Sequence, residues 1–423
     1  MTVYDSHTRF TGRSGDGYLL RTDAGDEFTA DQVVIAAGAR AMVPDAIAGC
    51  GVDVHTSDTI MRIPELPEHL VIIGGGFVAA EFAHVFSSLG SRVTIVIRGA
   101  AMLSHCDDTI CERYTDIAGK KWEIRSHRNM TGAHLDGSQT VVELDDGSEI
   151  AADVVLVATG RKPNGDLLDV HNAGGVKLDE NGLVAVDEYQ RTTARGIFAL
   201  GDVSSHYQLK HVANHEARVV RHNLLRDWDD TDALMYSDHR FVPSAVFTDP
   251  QIACVGLTEN EARAAGYKIN VKVQDYSDVA YGWAMEDTTG FAKIIVEQDS
   301  GKIFGCPHHG PPGVVVDSAA DPGDELRAAR PGDGPRSVLD SPGAAGGDRE
   351  RAAGVVRRAA LAAVAPALTG HLPSSAPLDV THTTLHTCSH VRSEIHRNGQ
   401  LSASRRAPGS NRGGGQLRPG DQH

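Results

Sequence analysis

The chain has 423 residues, enough for two or three domains, and a formal net charge of −16 that argues against nucleic acid as a partner. Six cysteines over this length are too few for a disulfide scaffold, and no run of 18 apolar residues exists. The N-terminal residues lack the apolar core of a signal peptide, so the expected setting is the cytoplasm, without a membrane partner.

Asp23 to Ala39 reads DAGDEFTADQVVIAAGA: a turn, a short strand, then a buried strand ending in A-x-G. The pattern returns without gaps at an offset of 122, where Asp145 to Arg161 reads DDGSEIAADVVLVATGR. Such a repeat predicts a duplicated dinucleotide-binding architecture. In the second copy the glycine loop at Gly74 lies 86 residues before Gly160; the same distance before Gly38 falls outside the chain. The first copy is therefore expected to have lost its own phosphate-binding loop. The start of this sequence is expected not to be the start of the ancestral domain.

Between the two copies, residues 70–98 read LVIIGGGFVAAEFAHVFSSLGSRVTIVIR. Leu70 to Ile73 predicts a buried strand. Gly74 and Gly76 take the first two slots of G-x-G-x-x-G, and Ala79 takes the third. Phe77, Val78, Phe82, Val85, Phe86 and Leu89 are then expected on one helical face, with Gly90 ending the helix and Val93 to Ile97 forming a second strand. This is the pattern of one βαβ unit for a dinucleotide. Glycines let the backbone approach a pyrophosphate, and the helix start supplies unpaired N–H groups and a positive dipole end. The bland alternative is an ordinary strand-turn-helix with no ligand. The second strand ends in Arg98, where NAD-binding units carry an acidic residue for the ribose 2′-OH. Arginine suits a 2′-phosphate and favours NADPH over NADH, unless it is a solvated surface side chain.

Two nucleotide domains, paired A-x-G strands and Gly196-Ile-Phe-Ala-Leu-Gly-Asp-Val203 together resemble the flavoprotein disulfide reductases. The stretches GFVAAEFAHVFSSLG, VDEYQRTTARGIFALGDVSSHYQLKHVANHEARVV and AVFTDPQIACVGLTENEA resemble most the branch of that family whose substrate is the disulfide mycothione. The likeness covers residues 1 to about 305. It implies an α/β fold of duplicated Rossmann-like FAD- and NAD(P)-binding domains, followed by part of an α+β dimerisation domain. It implies FAD and NADPH (or NADH) as cofactors, a small-molecule disulfide as substrate and a homodimer. Position by position, Gly74, Gly75, Gly76, Phe77, Val78, Ala79, Ala80, Glu81, Arg98 and Gly160 resemble the NADPH site. Ala37, Gly38 and Ala39 resemble the crossover that touches the FAD ribose and phosphates. Gly201 and Asp202 resemble the turn whose aspartate holds the flavin ribityl chain, and Gln208, Leu209, Lys210 and His211 the segment along the isoalloxazine. Ser104 departs from relatives that place a second arginine there.

The resemblance also implies a redox cysteine pair just after the first glycine loop and a catalytic histidine near the C-terminus. This chain is expected to carry neither, so no catalytic residue and no metal ligand is assigned. Cys106 and Cys111 share the C-x4-C spacing but follow the NADPH unit, and are expected to be ordinary thiols; Cys50, Cys254 and Cys306 have no partner pattern. Composition breaks near Gly305: the 118 residues beyond it contain no Lys, Phe, Tyr, Trp or Met. Such a segment has little apolar area to offset ordering entropy, and disorder is expected apart from a short helix within Ala352 to Leu368. Read one base later, the codons for Cys306 to Gly313 and for Asp340 to Arg351 permit the family's own continuation, with the catalytic histidine straddling Ser341 and Pro342. A frameshift near codon 306 is the expected cause. His382, His386, Cys388, His390 and His396 are then incidental rather than zinc ligands.

The expected organisation is a remnant of the FAD-binding domain at 1–44, the NAD(P)H-binding domain at 45–165, a return segment of the FAD-binding domain at 166–238, the first half of a dimerisation domain at 239–305 and a tail at 306–423. The expected function is disulfide reduction by descent, with this chain inactive. A dihydrolipoamide dehydrogenase-like flavoprotein and a non-enzymatic nucleotide-binding fragment are the alternatives.

Overall fold

The computed structural model describes residues 1–310. The expectations for the tail beyond that point (the helix within Ala352 to Leu368, the out-of-frame segment Asp340 to Arg351, the His382 to His396 cluster) lie outside the described residues.

Strands β1 (Thr8–Ser14), β2 (Gly17–Thr22) and β3 (Glu27–Ala30) form an antiparallel meander. β4 (Val33–Ile35) follows and β5 (Ala39–Ala41) crosses out, leading to a short helix, α1 (Asp45–Ala48). The middle of the chain holds β6 (His69–Ile73), α2 (Phe77–Leu89), β7 (Arg92–Val96), α3 (Asp108–Lys121) and β8 (Glu123–Arg125). A second antiparallel meander, β9 (Met130–Asp136), β10 (Gln139–Leu144) and β11 (Glu149–Ala152), then leads into β12 (Val154–Val157) and β13 (Arg161–Pro163).

The repeat is visible in this plan. Each copy is a three-stranded meander, a short parallel strand, then a crossover; β12 is largely buried, whereas in β4 only Ile35 is. β12 joins the parallel sheet β12-β6-β7-β8, all of whose strands run the same way. β4 pairs in parallel with β14 (Ile197–Ala199) along one edge. Among the described residues no strand lies along its other edge, where β6 lies in the second copy. The two crossovers meet each other: β5 and β13 pair antiparallel, with Pro163 opposite Ala39 and Arg161 opposite Ala41.

β6 (HLVII) is buried at every position, as a central parallel strand must be. The helix behind it packs only in part as its apolar spacing predicts: Phe86 is buried and Phe82 rests against the core. Ala79, Ala80, Ala83 and Phe86 are the buried residues of α2, whereas Leu89 is 63% exposed and Phe77 and Val85 stand at the surface. A helix entered directly from a glycine turn lies close on its sheet, and small side chains permit that approach. Gly90 ends the helix in a left-handed conformation (φ +112°) that returns its N–H to Phe86.

After β14 comes α4 (Lys210–Asn223). The last described part is a sheet in the order β15-β16-β20-β18-β17: β15 (Ser244–Val246), β16 (Gln251–Cys254), β17 (Ile269–Asp275), β18 (Phe291–Glu297), β19 (Ile303–Gly305, paired to β18) and β20 (His308–Gly310). Helices α5 (Glu259–Ala264) and α6 (Ala280–Ala284) lie between its strands in sequence. The hairpin expected around Asp299-Ser-Gly301 is β18–β19. Strand β20 falls in the span that composition assigns to the tail, yet it pairs with both β16 and β18. His308 and His309, on opposite faces of β20, are both buried, and the sheet runs five residues past the composition break.

This part is joined to α3. Val246, Ile252 and Phe291 share one core with Leu70, Ile72, Ile95 and Tyr114. Lys293, almost fully buried, places Nζ 2.6 Å from Asp107 Oδ1 and 2.9 Å from Glu259 Oε2. Among the described residues no helix is long and apolar enough to cross a membrane.

Candidate nucleotide-binding site

The carboxyl ends of β6, β7 and β12 converge on one edge of the parallel sheet, where open α/β sheets bind ligands. Gly74 leaves β6 with φ +126°, donates its N–H to Val96 O (2.9 Å) and turns the chain into α2. Gly75 is held from below: Leu103 N donates to Gly75 O at 2.7 Å, and a Cβ on Gly75 would meet Ile97 Cγ2 at 2.6 Å. Gly76 is the N-cap of α2, with extended backbone and no side-chain cap. A Cβ there would meet nothing within 4 Å. The N–H groups of Phe77, Val78 and Ala79 thus open the helix with no side chain capping them, and space lies above the glycine. That is the donor geometry an anion needs.

The other predicted residues of this site fall around the turn. Ala80 is buried beneath it. Arg98 is exposed just past β7 and, among the described residues, makes no ion pair. Gly160 follows β12 with φ +129°, and its carbonyl accepts from Met42 N at 2.9 Å, which ties it to the other copy's crossover. Glu81, on the first turns of α2, has its Oε1 accepting from Phe247 N at 2.9 Å, so one carboxylate oxygen is engaged by the segment that follows β15. The residues present fit the pyrophosphate and ribose phosphate of a pyridine nucleotide.

The flavin-side residues also gather at a strand edge. β4 and β14 are in register to Ile35 and Ala199, and Leu200 N donates to Ile35 O, so Ala37-Gly38-Ala39 and Gly201-Asp202 follow the same ends of the two paired strands. Asn164 fixes the crossover, donating from Nδ2 to Ala37 O (2.9 Å) and from its backbone N to Gly38 O (3.0 Å). Asp202 is half-buried. Gln208 and Leu209 lead into α4, whose first residues Lys210 and His211 are exposed. Sequence reasoning missed Glu216. This carboxylate is 1% exposed; Oε2 accepts from Gly201 N at 2.6 Å and Oε1 lies 2.9 Å from His239 Nε2. It holds the Gly201-Asp202 turn from behind, and its α4 position facing Gly201 could be found only from the fold. The fit to FAD is partial. The open side of β4 borders an apolar groove of about 570 Å³, lined by Phe10, Leu20, Val34 and Leu168 among others. No glycine turn equivalent to Gly74–Gly76 lies there among the described residues, so the flavin's pyrophosphate finds no comparable cradle.

Comparison with known proteins agrees with this geometry. The family described as "Pyridine nucleotide-disulphide oxidoreductase" matches residues 3–217, and its dimerisation domain matches residues 242–320. The chain belongs to this family of flavoprotein oxidoreductases, which use FAD and a pyridine nucleotide. It is 66% identical over 306 residues to mycothione reductase of Mycobacterium tuberculosis, covering 72% of this chain and 66% of that protein. It is 32% identical over 286 residues to glutathione reductase of Burkholderia cepacia, covering 67% and 62% of the two chains. The structure of the HOCl-induced flavoprotein disulfide reductase RclA from Escherichia coli superposes with a TM-score of 0.65 at 29% identity, covering 74% of this chain and 70% of that one. The chain therefore spans just under two thirds of the length of its mycothione reductase relative.

Proposed function

We propose that the chain is, by descent, an NADPH- and FAD-dependent disulfide oxidoreductase whose small-molecule substrate is mycothione, and that its complete module is the pyridine-nucleotide site. The observation that carries this reading is the open, uncapped start of α2 over Gly76, with Arg98 exposed at the end of the neighbouring strand. Identity of 66% to a mycothione reductase supports the substrate class.

In this reading Gly74 to Gly76 and the N–H groups of Phe77, Val78 and Ala79 hold the pyrophosphate, with buried Ala80 beneath them. Arg98 pairs with a ribose 2′-phosphate, and Gly160 and Glu81 border the nucleotide's inner half. Bound NADPH supplies a hydride. Asp202, the Ala37–Ala39 crossover and Gln208 to His211 are the proposed flavin contacts, held in place by Glu216 and Asn164. With half a cradle, flavin is held weakly, and no step is assigned to it. Among the described residues no cysteine pair is assigned beside that half-site, so we propose that this chain does not turn over a disulfide. The dimerisation-domain match and the exposed Phe247, Trp283 and Met285 support a second copy as the ancestral partner.

One assay series tests this reading. The purified chain is examined for a flavin spectrum, then mixed with NADPH and mycothione. Binding of NADPH with no mycothione turnover is expected. Turnover above background contradicts the proposed inactivity, and a folded chain without NADPH affinity contradicts the site.

A further inference from the structure

Lys293 is a cation enclosed between β18 and the start of α3. Its Nζ lies 2.6 Å from Asp107 Oδ1 and 3.1 Å from Thr109 Oγ1. Asp107 is itself buried and is the N-cap of α3: Oδ1 accepts from Thr109 N at 3.0 Å and Oδ2 from Glu259 N at 3.1 Å. A carboxylate this deep is held by its cation, because removing the partner leaves an uncompensated buried charge. The residues just before Asp107 form one tight turn, in which Cys106 N donates to Leu103 O at 2.8 Å. Leu103 is fully buried and has φ +55°, the left-handed region that leucine rarely adopts. Such a conformation persists where its surroundings fix it on both sides. On one side Met102 N donates to Thr115 Oγ1 at 2.9 Å, and on the other stands Asp107. Leu103 N in turn donates to Gly75 O at 2.7 Å. The Gly75–Gly76 peptide is trans, and a trans peptide points its C=O and N–H in opposite directions. The bond to Leu103 therefore aims the Gly76 N–H away from the loop.

We infer that Lys293, a residue of the C-terminal sheet, is a positioning residue for the nucleotide site, an inference that rests on the pyridine-nucleotide reading above. Lys293 reaches no phosphate. It fixes Asp107, Asp107 fixes the turn that carries Leu103, and Leu103 sets the peptide that presents the Gly76 N–H. Donors already held in place bind an anion more tightly than donors that binding must first order. Glu259 also meets Lys293, with Oε2 2.9 Å from Nζ, but its carboxylate is paired with Arg263 as well and balances the lysine rather than the loop. Coupling of this kind is reciprocal, so nucleotide on the turn should tighten the loop and β18 in return.

The test uses the full chain and NADPH. Lys293→Met combined with Asp107→Asn removes both charges together, leaves the net charge unchanged and keeps an N-cap acceptor at position 107. We expect this double variant to melt cooperatively yet bind NADPH about fivefold or more weakly, with faster amide hydrogen exchange concentrated in residues 99–107. Glu259→Gln should bind NADPH as the parent chain does. Should the double variant fail to fold, exchange in the parent chain decides: saturating NADPH should slow it in residues 99–107 and 291–297. Three results would overturn the inference and leave the nucleotide reading intact: a folded double variant with parental affinity, an equal loss in Glu259→Gln, or a parent chain that binds NADPH without slowing in either segment. A folded parent chain with no affinity for NADPH would overturn both.

Discussion

Gly74 lies so close to Ala158 that a Cβ on the glycine would stand 2.2 Å from the alanine carbonyl oxygen. The turn that opens the nucleotide site is thus pressed onto the end of β12, and with φ +126° only glycine suits it. Gly74→Ala should destabilise the middle sheet by about 2–4 kcal/mol. Gly76→Ala meets no clash, has an ordinary φ of −79°, and should fold normally while losing NADPH affinity by about tenfold or more. Thermal melts and equilibrium titration of the two variants separate the roles of the two glycines.

Arg98 should set the choice between nucleotides. Arg98→Asp should weaken NADPH binding by about 10- to 100-fold, about 1.4–2.8 kcal/mol, with NADH affinity equal or higher. Parallel titrations with the two nucleotides check this. Equal loss for both would assign Arg98 a structural role.

Glu216 should be worth more to stability than its distance from any ligand suggests. Glu216→Ala leaves Gly201 N–H buried and unpaired and should cost on the order of 3 kcal/mol in urea unfolding. Glu216→Gln keeps an oxygen facing Gly201 and should cost clearly less.

Acid should loosen the C-terminal sheet. Burial, with neighbouring His309, pushes the His308 imidazole down to about 3. The unfolded chain takes up a proton below the ordinary histidine pKa of 6.5, while the folded chain takes it up only near 3. This contribution is therefore fully present above pH 6.5 and is lost as pH falls toward 3, amounting to a few kcal/mol, of order, at the acid end. Melting temperatures from pH 8 to 4 should fall less steeply for His308→Gln than for the parent chain.

Much of this was legible in the chain itself. The βαβ unit, the repeat at offset 122 and the hairpin around Ser300 rest on local patterns of glycines and apolar runs, and local patterns survive folding. The packing face of α2 was legible only in part: Phe86 and Phe82 do meet the core, but bulk also suggested Val85 and Leu89 where closeness to the sheet selects Ala79, Ala80 and Ala83. The role of Glu216 depends on Gly201 and His239, partners outside its own helix, which spacing rules cannot reach. Strand β20 was hidden for another reason. His308-His309-Gly310 has no strand-like composition and is ordered by the two strands that flank it.

The central claim is that a pyridine nucleotide seats its phosphates on the opening turn of α2. Isothermal titration of NADPH into the purified full chain, with Gly76→Ala beside it, tests it most directly. The account predicts saturable one-site binding to the parent chain and about tenfold or greater weakening in the variant, both with native melting curves. A folded parent chain that binds neither NADPH nor NADH, or a variant that binds as well as the parent, would contradict it.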